Sequence, residues 1–286
     1  MLPEMLHRMN ITEGKGNKMN VLVVGCGKFG KNHIRILNEL KHKVFIQDSD
    51  DEVVAEICKD EKILEYGKHD DVEAVIVTTP SNTHYDVVKY WLRKKKHVFC
   101  EKPLCFKSDQ AWELIDLADS VGVFFAVGHV FRFTDGAELF KRLVNEIHPT
   151  DITMNFLNDK PPRSDSNILF NLAIHLLDML DMVGLGKPTI LDYSKDVNYG
   201  HIKLKYPHEY KRTNDIEVTI NVSCNSIKER SVTLKGYNST TKINLMTSSN
   251  EPLKDEITHF FDCIKAGVHP TNYADIKVIK LLEGFK

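Results

Sequence analysis

The chain has 286 residues, of which 42% are hydrophobic, and a formal net charge of −2 at pH 7. That length allows one large domain or two of ordinary size, and that composition supplies real cores. The near-neutral balance excludes polyanion binding as the main function, because nucleic-acid domains carry a clear basic excess.

The six cysteines (Cys26, Cys58, Cys100, Cys105, Cys224, Cys263) form no CxxC pair and read as reduced thiols. No run of 18 apolar residues offers a membrane span, and residues 1–18 lack the apolar core of a signal peptide. A cytoplasmic protein with no membrane partner is therefore expected. Residues 1–18 show neither helical nor strand periodicity and are expected to form a disordered leader outside the fold.

The first strand is expected at residues 20–25, NVLVVG. It runs straight into Gly25-x-Gly27-x-x-Gly30, with Lys28 and Phe29 inside the loop, and then into the helical KNHIRILNELKH. That is the context of a dinucleotide fingerprint: one glycine for the tight turn, one for approach of backbone to pyrophosphate, one for helix–strand packing. A second strand, KVFIQD, ends on Asp48, 18 residues beyond Gly30 and near the spacing of a ribose-binding carboxylate. A carboxylate there repels a 2′-phosphate, so NAD is favoured over NADP. Two readings compete with this one: Asp48 as a solvated turn residue, and Asp50 as the ligand.

The alternation continues through EAVIVTTP, THYDVVKYWLRKKK, HVFCEKPL, SDQAWELIDLADSVG and VFFAVGHVF, with Ser108 as an expected N-cap. Repeated βα units imply a doubly wound parallel sheet with helices on both faces, and ligands bind beyond the carboxyl ends of its strands. The basic run from Arg93 to His97 ends a helix, where cations complement the dipole. Cys26, inside the glycine loop, reads as a small filler.

Beyond about residue 130 the pattern changes to strand-like runs without intervening helices: DITMNFL, TILDYSKDV, HIKLKY, IEVTINVSCN, RSVTLKGY and TKINLM. Their alternation predicts a mainly antiparallel sheet with one open face, solvated or paired with another subunit as a homodimer or homotetramer. Between its first strands lies LFNLAIHLLDML, apolar nearly all round yet carrying Asn171, His175 and Asp178 within one arc of the helix. Such a stripe should face a cavity. EPLKDEITHFFDCIKAG is expected to close this second domain as an amphipathic helix.

Taken together, GCGKFG, TTPSNTH, CEKP, VGHVFRF, RSDSNILFNLAIHLLDML and EPLKDEITHFFDCIKAGVHP resemble the glucose-fructose oxidoreductase, inositol dehydrogenase and rhizopine-catabolism oxidoreductase superfamily over residues 19–286. The segments VGHVFRF and RSDSN look most like its UDP-N-acetylglucosamine 3-dehydrogenase branch. The resemblance implies an NAD-binding Rossmann domain at 19–128 and a substrate-binding and oligomerisation α+β domain at 129–286, with a large open sheet. It implies a catalytic centre of Lys102 and His175, with Asn171 where the family commonly has aspartate. It also implies a cis bond at Glu101–Lys102 or Lys102–Pro103, Glu101 beside the cofactor, and Thr79, Pro80, Asn82 and His84 along its nicotinamide half.

The implied reaction is hydride transfer from a ring hydroxyl of a sugar or sugar nucleotide to NAD, at C3 of a UDP-amino sugar. A polyol or inositol-type dehydrogenase or ketoreductase, and a non-catalytic NAD-binding sensor, are the alternatives. His175 is expected to be neutral and basic near pH 7, because an asparagine does not stabilise imidazolium. Arg132 and Arg163 are candidates for a substrate phosphate or carboxylate, or for surface salt bridges. No metal is expected, since His175 and Asp178 lack a third ligand.

Overall fold

Strands that are apolar at every position must be covered on both faces. Val21, Leu22 and Val23, and the run Ala74, Val75, Ile76 and Val77, have no exposed surface at all. The computed structural model describes residues 18–60, 62–67, 71–207, 214–245, 248–269 and 273–285; nearly all of the expected leader lies outside them. The first half runs β1 (Asn20–Val24), α1 (Lys28–Glu39), β2 (Lys43–Gln47), α2 (Asp51–Ile57), β3 (Ile63–Glu65), β4 (Ala74–Val77), α3 (His84–Arg93), β5 (His97–Glu101), α4 (Ser108–Val121) and β6 (Phe125–Gly128). Its six strands are all parallel, in the order β3-β2-β1-β4-β5-β6. The order reverses between β1 and β4, so a crevice opens beyond the carboxyl ends of those two strands.

The second half runs α5 (Asp135–Ile147), β7 (Asp151–Leu157), a π-helical turn (Leu169–Ala173) continuing as α6 (Ile174–Met182), β8 (Thr189–Lys195), β9 (Tyr199–Tyr206), β10 (Ile216–Ser223), β11 (Glu229–Lys235), β12 (Thr240–Asn244), α7 (Pro252–Ala266) and α8 (Tyr273–Glu283). Its six-stranded sheet has the order β12-β11-β7-β10-β9-β8 and is antiparallel except for the β7–β10 pair. Burial alternates strictly along β7 and β10. The inner face (Ile152, Met154, Phe156, Val218, Ile220, Val222) joins Leu169, Leu172 and Leu176 in one apolar cluster that also reaches Leu22, Val75 and Val98 of the first sheet. The outer face is polar, with Asn221 donating to Asn155 at 3.0 Å and His201 Nδ1 lying 2.9 Å from Asn221 Oδ1.

Several features depart from the sequence reading, and helices α5 and α8 went unread. β3 went unread because three residues on a sheet edge carry no usable periodicity. Helix α7, read with the second half, instead covers the first sheet: Ile257 and Phe260 share a core with Val21, Val23, Ile36 and Leu37. Ser108 is not the N-cap of α4, a position held by Lys107; Glu283 of α8 takes its amide at 3.1 Å and its hydroxyl at 2.6 Å. Among the described residues, no helix is long and apolar enough to cross a membrane.

The β1–α1 turn shows why its glycines are needed. Gly25 has φ of +91°, and a Cβ there would stand 2.7 Å from the Thr79 backbone nitrogen. A Cβ on Gly30 would stand 2.1 Å from the Gly25 carbonyl oxygen, whereas one on Gly27 would meet no neighbouring group within 4 Å. Gly30→Ala is therefore expected to cost about 3 kcal/mol or more, at the top of the range for overpacking. Gly27→Ala should cost no more than about 1 kcal/mol, the order of a changed N-cap. Urea unfolding of the two variants checks the contrast.

Candidate active site

At the carboxyl end of β1 the chain turns through Gly25 and Gly27 into α1, whose first turn contains no acidic residue. Lys28 and Phe29 are exposed there, and the unpaired N–H groups of that turn favour an anion. Room at Gly27, tight packing at Gly25 and Gly30 and an electropositive helix end fit a dinucleotide pyrophosphate. Asp48, at the end of β2, is fixed rather than solvated: its carboxylate accepts the Cys26 amide at 2.5 Å and the Asp50 amide at 3.1 Å. Asp50 serves as the N-cap of α2, its carboxylate accepting from the Glu52 and Val53 amides. Burial, with the Asp48 charge second, pushes the Cys26 thiol up to about 12, so it stays protonated.

The second cluster forms where β5 meets the segment 169–182. The cis bond is Lys102–Pro103. Lys102 Nζ donates to the backbone carbonyl of Asn171 at 2.8 Å, so Asn171 takes part through its main chain. Burial brings the Lys102 amine down to about 8, partly opposed by the Glu101 charge. Glu101 in turn meets His33 Nε2 of α1 at 2.8 Å. Burial would raise the Glu101 carboxyl, but His33 and Lys102 more than offset it and hold it below the ordinary range.

His175 is 8% exposed, stacked on Phe156 at 5.5 Å and edge-on to Phe131 at 4.9 Å. Its Nδ1 is buried with no hydrogen-bond partner. Burial first, and then the charges of Lys102, His129 and Arg230, hold its pKa well below the usual value. The ring is neutral, as read from the sequence, and a weaker base than an ordinary histidine.

Several predicted residues have other tasks. His84 is buried, with Nδ1 2.7 Å from the Pro103 carbonyl and Nε2 2.8 Å from that of Thr79. It braces the loop of Thr79, Pro80 and Asn82 against the turn after β5. Arg132 grips Asp178 through Nε and Nη2 at 2.6 to 3.0 Å, which commits the third polar residue of the buried stripe to structure. Arg163 likewise chelates Asp165 at 2.8 and 2.7 Å, and Asp165 also accepts the Ser81 amide at 2.9 Å. Burial disfavours the Asp165 carboxylate, yet these donors hold it well below the usual carboxylate range. Among the described residues, no group of three or more His, Cys, Asp or Glu is arranged to hold a metal ion.

Three residues near the cluster escaped the sequence reading. His33 sits in an ordinary amphipathic helix pattern, and Arg230 opens the strand-like run RSVTLKGY, where nothing marks it as a ligand. Glu256 of α7 is 4% exposed, and neither carboxyl oxygen has a well-formed hydrogen bond. Burial and then the Glu101 charge raise its pKa well above the ordinary value, and the approach of the His129 backbone offsets little of this. A carboxyl whose folded pKa is raised supports the fold when protonated, and that support is lost as pH rises through the folded value. Relative to Glu256→Gln, the natural protein should therefore lose denaturant stability progressively as the pH climbs, with the two nearest at low pH.

Residues 19–129 match the sequence profile of an oxidoreductase family described as an NAD-binding Rossmann fold. The 2,7-anhydro-N-acetylneuraminate hydratase of Escherichia coli is 29% identical over 134 residues, 45% of this chain and 36% of that protein. The UDP-N-acetylglucosamine 3-dehydrogenase of Acidithiobacillus ferrooxidans is 26% identical over 166 residues, 56% of this chain and 53% of that protein. The matched stretch thus spans about half the length, or less, of these relatives. The solved structure of the Acidithiobacillus enzyme superposes with a TM-score of 0.79 at 19% identity, covering 92% of this chain and 95% of that one, which shows a shared two-domain fold. Over residues 19–129 the chain is thus similar to the oxidoreductase family with an NAD-binding Rossmann fold.

Proposed function

We propose that the protein is an NAD-dependent oxidoreductase that oxidises a ring hydroxyl of a sugar, with C3 of a UDP-amino sugar such as UDP-N-acetylglucosamine as its substrate. The observation that carries the chemistry is a half-buried lysine amine of lowered basicity beside a buried neutral histidine with an unpartnered ring nitrogen. Similarity to the Acidithiobacillus enzyme supports the substrate class.

Gly25, Gly27, Lys28, Phe29 and Gly30 would hold the pyrophosphate, and Asp48 a ribose 2′-hydroxyl, which favours NAD over NADP. Thr79, Pro80, Asn82 and Glu101 would line the nicotinamide half. When bound, NAD supplies the acceptor for the hydride leaving the carbinol carbon. Removing the hydroxyl proton needs a base matched to the working pH. Lys102, at about 8, meets that need better than His175. The deprotonated Lys102 amine takes the proton, while His175 and the Asn171 side chain orient the hydroxyl. As the alcohol loses its proton, the ammonium formed on Lys102 stabilises the developing oxyanion.

Assayed as NADH formation with UDP-N-acetylglucosamine and a panel of UDP-sugars and free polyols, kcat/KM should rise with pH through about 8. Lys102→Ala should lose about 10²–10⁴-fold in kcat and the inflexion with it, while still binding NADH. His175→Ala should lose turnover but keep the inflexion. Asp48→Asn should narrow the preference for NAD over NADP. Unchanged turnover in Lys102→Ala would overturn the assignment.

The polar outer face of the second sheet is the proposed contact for a homodimer or homotetramer. Ile190, Leu191 and Tyr199 are exposed on β8 and β9 at one edge of that sheet. Light scattering should return a multiple of the single-chain mass, and a monomer at micromolar concentration would exclude this contact.

A further inference from the structure

Arg230 is inward-facing on β11 and sits opposite Phe156 of β7 in the ladder. Its guanidinium carbon lies 4.3 Å over the Phe156 ring and 5.7 Å from that of Phe131. Those are the two rings that pack His175. The arginine and the histidine therefore pack against the same pair of rings. The Arg230 Nε is buried without a hydrogen-bond partner, and among the described residues no carboxylate lies within ion-pair distance of it. Arg132 and Arg163, by contrast, each hold an aspartate with two nitrogens. An arginine stacked on a ring keeps its planar fork of donors at the edge, the geometry that matches two oxygens of one anion.

The charge around it points the same way. Lys102 and Arg230 both lie close enough to His175 for their charges to suppress its protonation, and Arg230 also acts on Lys102. The acid whose charge Arg230 feels is Asp159. Further out, exposed Lys160 lies against Lys28 and near Lys228. A guanidinium on an aromatic platform, with a donor out of water and unanswered, lacks an oxygen acceptor that the protein does not provide.

We propose that Arg230 is an anion receptor of the substrate pocket, taking carboxylate or phosphate oxygens of the substrate through its unanswered edge. This rests on the reading that Lys102 and His175 hold the reacting hydroxyl. The receptor makes the pocket selective for sugars with a negative group near the ring, either a carboxylate on the sugar or the diphosphate of a nucleotide.

Calorimetric titration of the NADH-loaded protein tests this without turnover. The probes are UDP-N-acetylglucosamine, UDP-N-acetylglucosaminuronate, free glucuronate and free N-acetylglucosamine, against the natural protein, Arg230→Gln and Arg230→Lys. NADH affinity and melting temperature report folding. A 10- to 100-fold loss in Arg230→Gln, on the order expected for a charged hydrogen bond, confined to the two uronates identifies a carboxylate. The same loss for both UDP-sugars, with the free sugars unchanged, identifies the diphosphate. Arg230→Lys should recover part of either loss, because it keeps the charge and gives up the fork. Equal weakening of every probe including neutral N-acetylglucosamine, no weakening of any, or no binding of the anionic probes by the natural protein would overturn the proposal. Full turnover in Lys102→Ala, measured separately, would instead remove the reading beneath it.

Discussion

Desolvation of ionisable side chains is the constraint on which the site depends. The chain buries a histidine and a glutamate, and half-buries a lysine, a second glutamate and an arginine, without giving each a full set of partners. A charge out of water must be paired, held near another charge, or given up. Each of these outcomes occurs here. Glu101 stays charged because His33 meets it; Glu256, with no such partner, is pushed toward its neutral acid. Lys102 is brought near neutrality, and His175 is kept neutral outright. The acid–base character of the cluster follows from packing as much as from residue type.

The fold brings these groups together through three separate segments. The reversal of strand order between β1 and β4 opens the crevice, and β5, next to β4, ends in Glu101 and Lys102 at its rim. The π-helical turn at Leu169–Ala173 then presents a main-chain carbonyl of Asn171 to the lysine; such turns occur where a helix is locally widened for function. Helix α7 returns from the second sheet to cover the first and carries Glu256 toward Glu101.

Local patterns in the sequence made much of this legible. The strand–glycine loop–helix unit, the acid after β2 and the alternating strands of the second sheet follow from period and spacing, which survive in a linear text. The polar stripe on the apolar segment was legible as a stripe but not as a division of labour, since Asp178 answers to Arg132 from another element. The placement of α7 was hidden because an amphipathic helix shows its apolar face and not which sheet will bury it. Arg132 and Arg163 looked like ligand arginines, whereas Arg230 was only the first residue of a strand-like run. Only tertiary contact separates an arginine that already holds a carboxylate from one that does not.

That difference bears on Asn171. The motif set resembles a family in which aspartate is common at this position, and an aspartate so close to His175 would raise its pKa and lend the pocket a negative charge. Asn171 withdraws that charge, while Arg230 adds a positive one over Phe156, the ring on which His175 stacks. Both features move the potential in the same direction, and both favour a neutral His175 and a less basic Lys102. A pocket made more positive in two independent ways is least stable empty, and its charge is balanced when the occupant brings the missing anion. The residue that departs from the common motif and the arginine that the motif does not mention are then parts of one adaptation, in which the charge of the substrate completes the electrostatics of the site.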